Sequence, residues 1–226
     1  MTASQHIVDQ IMAHTDAYRI VEQARLRLLA EEDRRRAFYD IVTEDDKAEF
    51  VNGEIVFHSP VMKAHNDATK YLLNLLLNYV EYHNLGYVGV EKIMTRFTRN
   101  DYEPDICFFN SEQAATFEDK QLLFPVPDFV VEVLSKSSAK TIEHDTVTKY
   151  HDYEQHGVRE YWIVDPHEQT VAQYALEDGR YQLIPAAADG LIKGIAIPGF
   201  NIPVKAIFDR TLNQELIRKL MTEGEL

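Results

Sequence analysis

The segment that most restricts the fold is Pro127-Asp128-Phe129-Val130-Val131-Glu132-Val133-Leu134. Apolar residues surround one glutamate with no polar alternation, and such a run reads as a strand covered on both faces. An ionised carboxylate inside that strand costs several kcal/mol unless something offsets it. Glu132 is therefore half of a structural salt bridge, a metal ligand or a catalytic acid.

A second run repeats the pattern. Glu103-Pro104-Asp105-Ile106-Cys107-Phe108-Phe109 puts Asp105 at the entrance of another apolar strand. Alone it would read as a strand-start residue satisfying nearby amides. Two adjacent buried strands, each carrying one acid, bring the carboxylates together, and hard divalent cations select oxygen ligands of that kind. Without a cation the two acids should repel, so that one binds a proton more readily than a free acid.

Positive charge near them comes from the helix expected over about Lys140 to His156 and stopped by Gly157. Asp145, Lys149 and Tyr153 are spaced four apart on one face of it. The plain alternative is a surface Asp–Lys pair worth a few tenths of a kcal/mol. Lys136, four residues after Glu132, is a second candidate.

Around this centre the chain reads as a mixed α/β pattern. Residues 1–37 read as two helices, the second capped by Thr15 and carrying Val21, Ala24 and Leu28 three or four apart. Asn52-Gly53 marks a two-residue hairpin turn that pairs Val51 with Glu54, Phe50 with Ile55 and Glu49 with Val56. That register puts Glu49 and Glu54 on one face, about 7 Å apart as diagonal neighbours. His65 to Asn84 is the clearest helix, with Ala68, Leu72, Leu75, Leu76, Tyr79 and Val80 on one stripe and His65 at its start. Gly86 is expected to close it. Strands are expected at 87–95, 104–109, 128–134, 160–164, 170–176 and 180–184, with a polar loop over 111–127 and a helical tail from Thr211 to Leu220. Trp162 reads as core. No phosphate-loop, Gly-x-Gly-x-x-Gly, His-Glu-x-x-His or Gly-x-Ser-x-Gly motif is present.

Composition narrows the function classes. The chain has 226 residues, enough to bury a full core, and its one cysteine, Cys107, excludes an internal disulfide and multi-cysteine metal sites. No apolar run is long enough to span a membrane, and Met1 to Arg19 lacks a secretory pattern, so the cytoplasm is the expected location. The net charge of −14 is the reverse of a protein that holds DNA mainly by counterion release. Residues 101–150 carry ten acids against four bases, so the acidity gathers where the two carboxylate strands lie. A bound metal ion would offset part of that field.

Taken together, Pro104-Asp105, Glu132-Val133-Leu134-Ser135, Asp145-x-x-x-Lys149-x-x-x-Tyr153-x-x-x-Gly157-Val158 and Glu160-Tyr161-Trp162-Ile163-Val164-Asp165-Pro166 resemble the bacterial Uma-type putative restriction endonucleases. That family is similar to the wider PD-(D/E)XK nuclease superfamily, and the resemblance covers roughly Phe38 to Pro203. It implies a restriction-endonuclease-like mixed sheet flanked by helices, with an N-terminal hairpin and helical extension. The domains are then 1–37 (helical extension), 38–210 (nuclease-like domain) and 211–226 (C-terminal helix). It implies a Mg²⁺ (or Mn²⁺) ion held by Asp105, Glu132 and the backbone carbonyl of Val133. Lys149 stands in for the lysine that the superfamily carries two residues after the acid, where this chain has Leu134. Glu49, Glu54 and His65 also match family positions, and of these Glu54 and His65 join the catalytic set.

The implied activity is hydrolysis of DNA phosphodiester bonds. The competing expectation is a catalytically silent nuclease fold serving as a binding or assembly module, because fold alone never fixes function. The N-terminal helices could pack on their own core or on a second subunit, so a homodimer is also expected from the way such folds cut two strands. No membrane partner is expected.

Overall fold

The computed structural model describes residues 3–43, 45–135, 147–185, 187 and 190–226. Asp145 and Lys136 lie outside these described residues.

Two helices open the chain, α1 (Ala3–Ala13) and α2 (Ala17–Ile41), and the second begins after Asp16 rather than Thr15, with no side-chain cap bond. The helix runs on past residue 37. Its last turns dock on the hairpin β1 (Ala48–Val51) and β2 (Glu54–Phe57), whose register is the one the Asn-Gly turn dictates. Asn52 and Gly53 both have positive φ, 51° and 85°, as a two-residue turn of this hand requires. Arg34 Nε donates to the Gly53 carbonyl at 3.0 Å, so α2 clamps the turn from above.

Helix α3 (Lys63–His83) follows, then strands β3 (Gly86–Val90), β4 (Met94–Arg96), β5 (Asp101–Tyr102) and β6 (Ile106–Asn110). Asn84, not Gly86, closes α3: it takes the left-handed conformation at φ 55° and its N–H bonds back to Glu81 and Val80 carbonyls. The expected single strand over 87–95 is divided between β3 and β4, which belong to different sheets. The expected polar loop 111–127 contains a short helix, α4 (Ser111–Ala114), and strand β7 (Leu123–Phe124). Strand β8 (Phe129–Val133), helix α5 (Lys149–His156) and strands β9 (Glu160–Asp165), β10 (Thr170–Glu177) and β11 (Arg180–Ile184) complete the centre. A small pair, β12 (Leu191–Lys193) and β13 (Asn201–Pro203), a 3₁₀ turn at Val204–Ile207 and helix α6 (Arg210–Glu223) end the chain.

The main sheet has the order β11-β10-β9-β8-β6-β3, antiparallel except for the parallel pair β8–β9. Its side chains sort by the two-residue period of a strand. Phe129, Val131 and Val133 join Leu72, Leu75, Leu76, Trp162 and Phe200 in the largest core cluster, on the α3 side. Val130 faces the other way, among Tyr153, Val158, Tyr161 and Ile163. Helix α6 packs on α3 through Leu212, Leu216, Ile217 and the fully buried Leu220, so the C-terminal helix shares the main core. A second sheet, β2-β1-β5-β4-β7, meets the side of β6 that carries Cys107 and Phe109, where Phe124 joins them. This layering decides the site: the face of β8 that bears Glu132 is closed by α5 and by the hairpin sheet.

Candidate active site

Strands β6 and β8 pair antiparallel with Ile106 opposite Val131. One residue further along, the same register sets Asp105 opposite Glu132, and opposed residues point to the same face. Asp105 is 6% exposed and Glu132 4%. The two acids that the sequence singled out are thus brought together.

Each has its own donors. Glu132 Oε1 accepts from Lys149 Nζ at 2.9 Å and from the Tyr153 hydroxyl at 2.8 Å. Lys149 and Tyr153 reach the same oxygen because residues four apart on a helix share a face. Lys149 is 1% exposed, so it is not the surface partner of an acid. Its ammonium also lies 2.9 Å from Glu49 Oε1 and 5.6 Å from the centre of the Tyr102 ring. Burial and the neighbouring Glu132 carboxylate push the Tyr153 hydroxyl well above its ordinary pKa, so it remains a proton donor.

Asp105 is held differently. Its Oδ2 accepts the Val133 N–H at 2.8 Å and lies 3.2 Å from His65 Nε2 at the start of α3. Its Oδ1 lies 3.3 Å from Lys47 Nζ. Burial works to raise its pKa, but the His65 hydrogen bond, the charges of His65 and Lys47 and the Val133 N–H outweigh burial and hold the carboxyl at about 2. The expectation that one bare acid of the pair takes up a proton is therefore not met at Asp105. A dedicated set of donors replaces mutual repulsion.

The hairpin contributes Glu49, which the sequence left outside the catalytic set. Glu49 is fully buried; its Oε1 also accepts the Glu103 N–H at 3.0 Å, and its Oε2 lies 3.2 Å from His58 Nε2. Glu103 is buried beside it and accepts the Ala48 N–H at 3.0 Å. Burial first, and then the nearby Glu49 charge, push Glu103 up to about 7. Glu54, expected in the catalytic set, is exposed on the edge strand β2 and is not brought to this cluster. The register is the expected one, and it leaves the two acids in different surroundings: β1 is covered by its neighbours while β2 has solvent on its free side. Lys47, Glu103 and Tyr102 carried no motif; Lys47 precedes β1 in a polar stretch, and only the folded chain sets it over Asp105.

As donors for a metal, Asp105 and Glu132 supply hard oxygens and no sulfur, which suits Mg²⁺ or Mn²⁺. Among the described residues no group of three or more His, Cys, Asp or Glu is arranged to hold an ion. Two carboxylates suffice for a cation that keeps several waters, so the residues fit.

The comparisons with known proteins bear on this arrangement. The family model Uma2, described as "Putative restriction endonuclease", matches residues 31–205. The chain belongs to the Uma2 family. A solved structure titled a "putative nuclease belonging to DUF820" from Anabaena variabilis aligns with a TM-score of 0.63. The alignment covers 76% of this chain and 94% of that one at 19% identity, which is a likeness of fold. No curated protein matches the chain. The Uma2 match contains Asp105, Glu132, Lys149 and the hairpin, whereas α1 and the first half of α2 fall outside it. The family description names a restriction endonuclease, the solved structure shares the fold, and no described helix is long and apolar enough to cross a membrane.

Proposed function

We propose that this Uma2 protein is a divalent-cation-dependent DNA endonuclease that hydrolyses phosphodiester bonds. The observation that carries the reading is the buried pair Asp105 and Glu132 on adjacent strands, with the Lys149 ammonium 2.9 Å from Glu132. Asp105, Glu132 and the Val133 carbonyl would hold a Mg²⁺ or Mn²⁺ ion. Such an ion polarises a phosphate oxygen and lowers the pKa of a bound water.

The chain's own residues do the rest. Lys149 orients the attacking water and meets the negative charge that grows on the phosphoryl oxygens. Glu49 and Tyr153 fix that ammonium: with Glu49 on one side and the Tyr153-bonded Glu132 oxygen on the other, the lysine has one resting place. His65 and the Val133 N–H hold Asp105 Oδ2 and leave the second oxygen as the face offered to a ligand. Leu134 packs against the cluster that contains Tyr153 and Val158, and the lysine's work falls to Lys149 on the helix. Supercoiled plasmid incubated with Mn²⁺ tests the reading: wild type should cut, and Glu132→Gln should not.

The N-terminal helices favour a second copy as partner. On α2, Tyr18, Glu22, Arg25, Leu29, Asp33 and Arg36 follow one another three or four apart along one face. An antiparallel copy centred on Leu29 sets Glu22 against Arg36 and Arg25 against Asp33. We read the arm as a homodimer contact, which light scattering of wild type and of a chain lacking residues 1–30, the part of the arm before the Uma2 match, would check.

A further inference from the structure

Lys47 sits on the one oxygen of Asp105 that a cation would take. Its Nζ is 3.3 Å from Asp105 Oδ1 and 2.5 Å from Glu91 Oε2. The other oxygen, Oδ2, already accepts the Val133 N–H and faces His65. An ammonium and a divalent cation cannot both occupy the Oδ1 face, because like charges at contact distance repel strongly inside a protein.

Glu91 gives the displaced charge somewhere to go. It has φ 60°, a left-handed conformation that side-chain-bearing residues seldom adopt. The turn is held in that shape from the site itself: the Glu91 N–H donates to the Asp105 carbonyl at 3.1 Å, and the Glu91 carbonyl accepts the Ile93 N–H at 2.9 Å. A strained residue bonded to a candidate ligand is the kind of outlier that marks a working part. The Glu91 side chain is 41% exposed while that of Asp105 is 8% exposed, so the ammonium can shift outward along a line it already spans.

We propose that Lys47 is a resident counter-ion of Asp105 which a divalent cation must displace, and that Glu91, fixed in its left-handed turn, receives the displaced ammonium. The inference rests on reading Asp105 and Glu132 as a divalent-cation site. It makes Lys47 a positioning residue that sets the affinity for the ion: it holds the Asp105 carboxylate aligned before the ion arrives, and weakens binding by having to leave.

The test is calorimetric titration of Mn²⁺ alone into folded wild type, Lys47→Met, Glu91→Gln and Asp105→Asn, with circular dichroism on each. Lys47→Met should bind Mn²⁺ about tenfold or more tighter than wild type, Glu91→Gln several-fold weaker, and Asp105→Asn not measurably. If Lys47→Met does not fold, Lys47→Gln serves in its place, since it keeps most of the stem and removes the charge. Equal or weaker binding by the Lys47 variant, with Asp105→Asn silent, overturns the counter-ion role and leaves the metal reading standing. Equal binding by wild type and Asp105→Asn overturns both.

Discussion

Around the acids of β6 and β8, Glu49, Asp105, Glu132 and Lys149 are all under a tenth exposed, and each touches an opposite charge or an N–H donor. Along α1 and the first half of α2 the distribution reverses: Ile7, Val8, Met12, Tyr18, Val21, Leu28 and Leu29 are each half exposed or more. The first region accepts a desolvation cost that apolar side chains of the same volume would avoid. The second leaves apolar surface in water that folding has not covered. The difference separates two jobs. Chemistry is expected where charge is kept dry, and association where apolar surface is kept wet. The Uma2 match respects the same division, since it starts at residue 31.

The largest effect should come where the two regions join. Arg35 is 2% exposed and its guanidinium grips Asp101 at 2.5 and 2.7 Å while donating to the Phe97, Thr98 and Asn100 carbonyls. Arg35→Met leaves the Asp101 charge buried without its guanidinium, the Tyr39 hydroxyl still donating to it, and should cost about 3–5 kcal/mol in urea unfolding. A loss below 1 kcal/mol would mean that the arm is not anchored through this pair, and the comparison would lose its structural hinge.

A smaller effect distinguishes a dry working site from a dry structural one. At a Mn²⁺ concentration a hundredfold above its dissociation constant, wild type should gain about 2.7 kcal/mol of stability, and Asp105→Asn should lose nearly all of it. Equal stabilisation of both by thermal denaturation would reduce the acids to structural ion pairs.

Glu103 tests the same region through pH. Its pKa is raised in the folded chain to about 7, so the folded state holds the proton more tightly than the unfolded one. The associated stability is fully present below about pH 4.5 and is lost as pH rises through 7, because folding then requires either a buried charge or an unfavourable proton. In chelator, wild type should lose on the order of 2 kcal/mol between pH 5 and 8, and Glu103→Gln should flatten that slope. A slope unchanged by the substitution would show that Glu103 ionises without penalty.

The smallest energetic effect belongs to the arm. Leu28→Ser with Leu29→Ser should leave subunit stability within about 0.5 kcal/mol, as surface changes do, while halving the mass seen by light scattering. An unchanged mass would remove the arm as the contact between copies.

Much of the domain was legible because its signals are local. Asn52-Gly53 fixes a hairpin and its register, the stripe from Ala68 to Val80 fixes a helix, and a lone acid in an apolar strand can only be a partnered one. Lys149 and Tyr153 were legible as a pair because helical spacing is rigid. What could not be read depends on packing between distant segments. Glu49 and Glu54 share a face by register, yet the packing of β1 against β5 and of Lys149 against Glu49 buries the first, while the edge position of β2 leaves the second in solvent. Lys47 stands in no pattern, and nothing local places it over a carboxylate 58 residues away. The second sheet was missed for the same reason: β4, β5 and β7 are two or three residues long and exist through their pairing.

The central claim is that Asp105, Glu132 and Lys149 form one hydrolytic site, and plasmid cleavage tests it most directly. Supercoiled DNA is incubated with Mg²⁺ or Mn²⁺ and with wild type, Glu132→Gln or Lys149→Met, each variant first shown to be folded and titrated with Mn²⁺. The account predicts nicked or linear product from wild type only in the presence of the ion, none from Glu132→Gln, and none from Lys149→Met although that variant still binds Mn²⁺. Cleavage by Lys149→Met at the wild-type rate, or metal-dependent cleavage that survives Glu132→Gln, would contradict it.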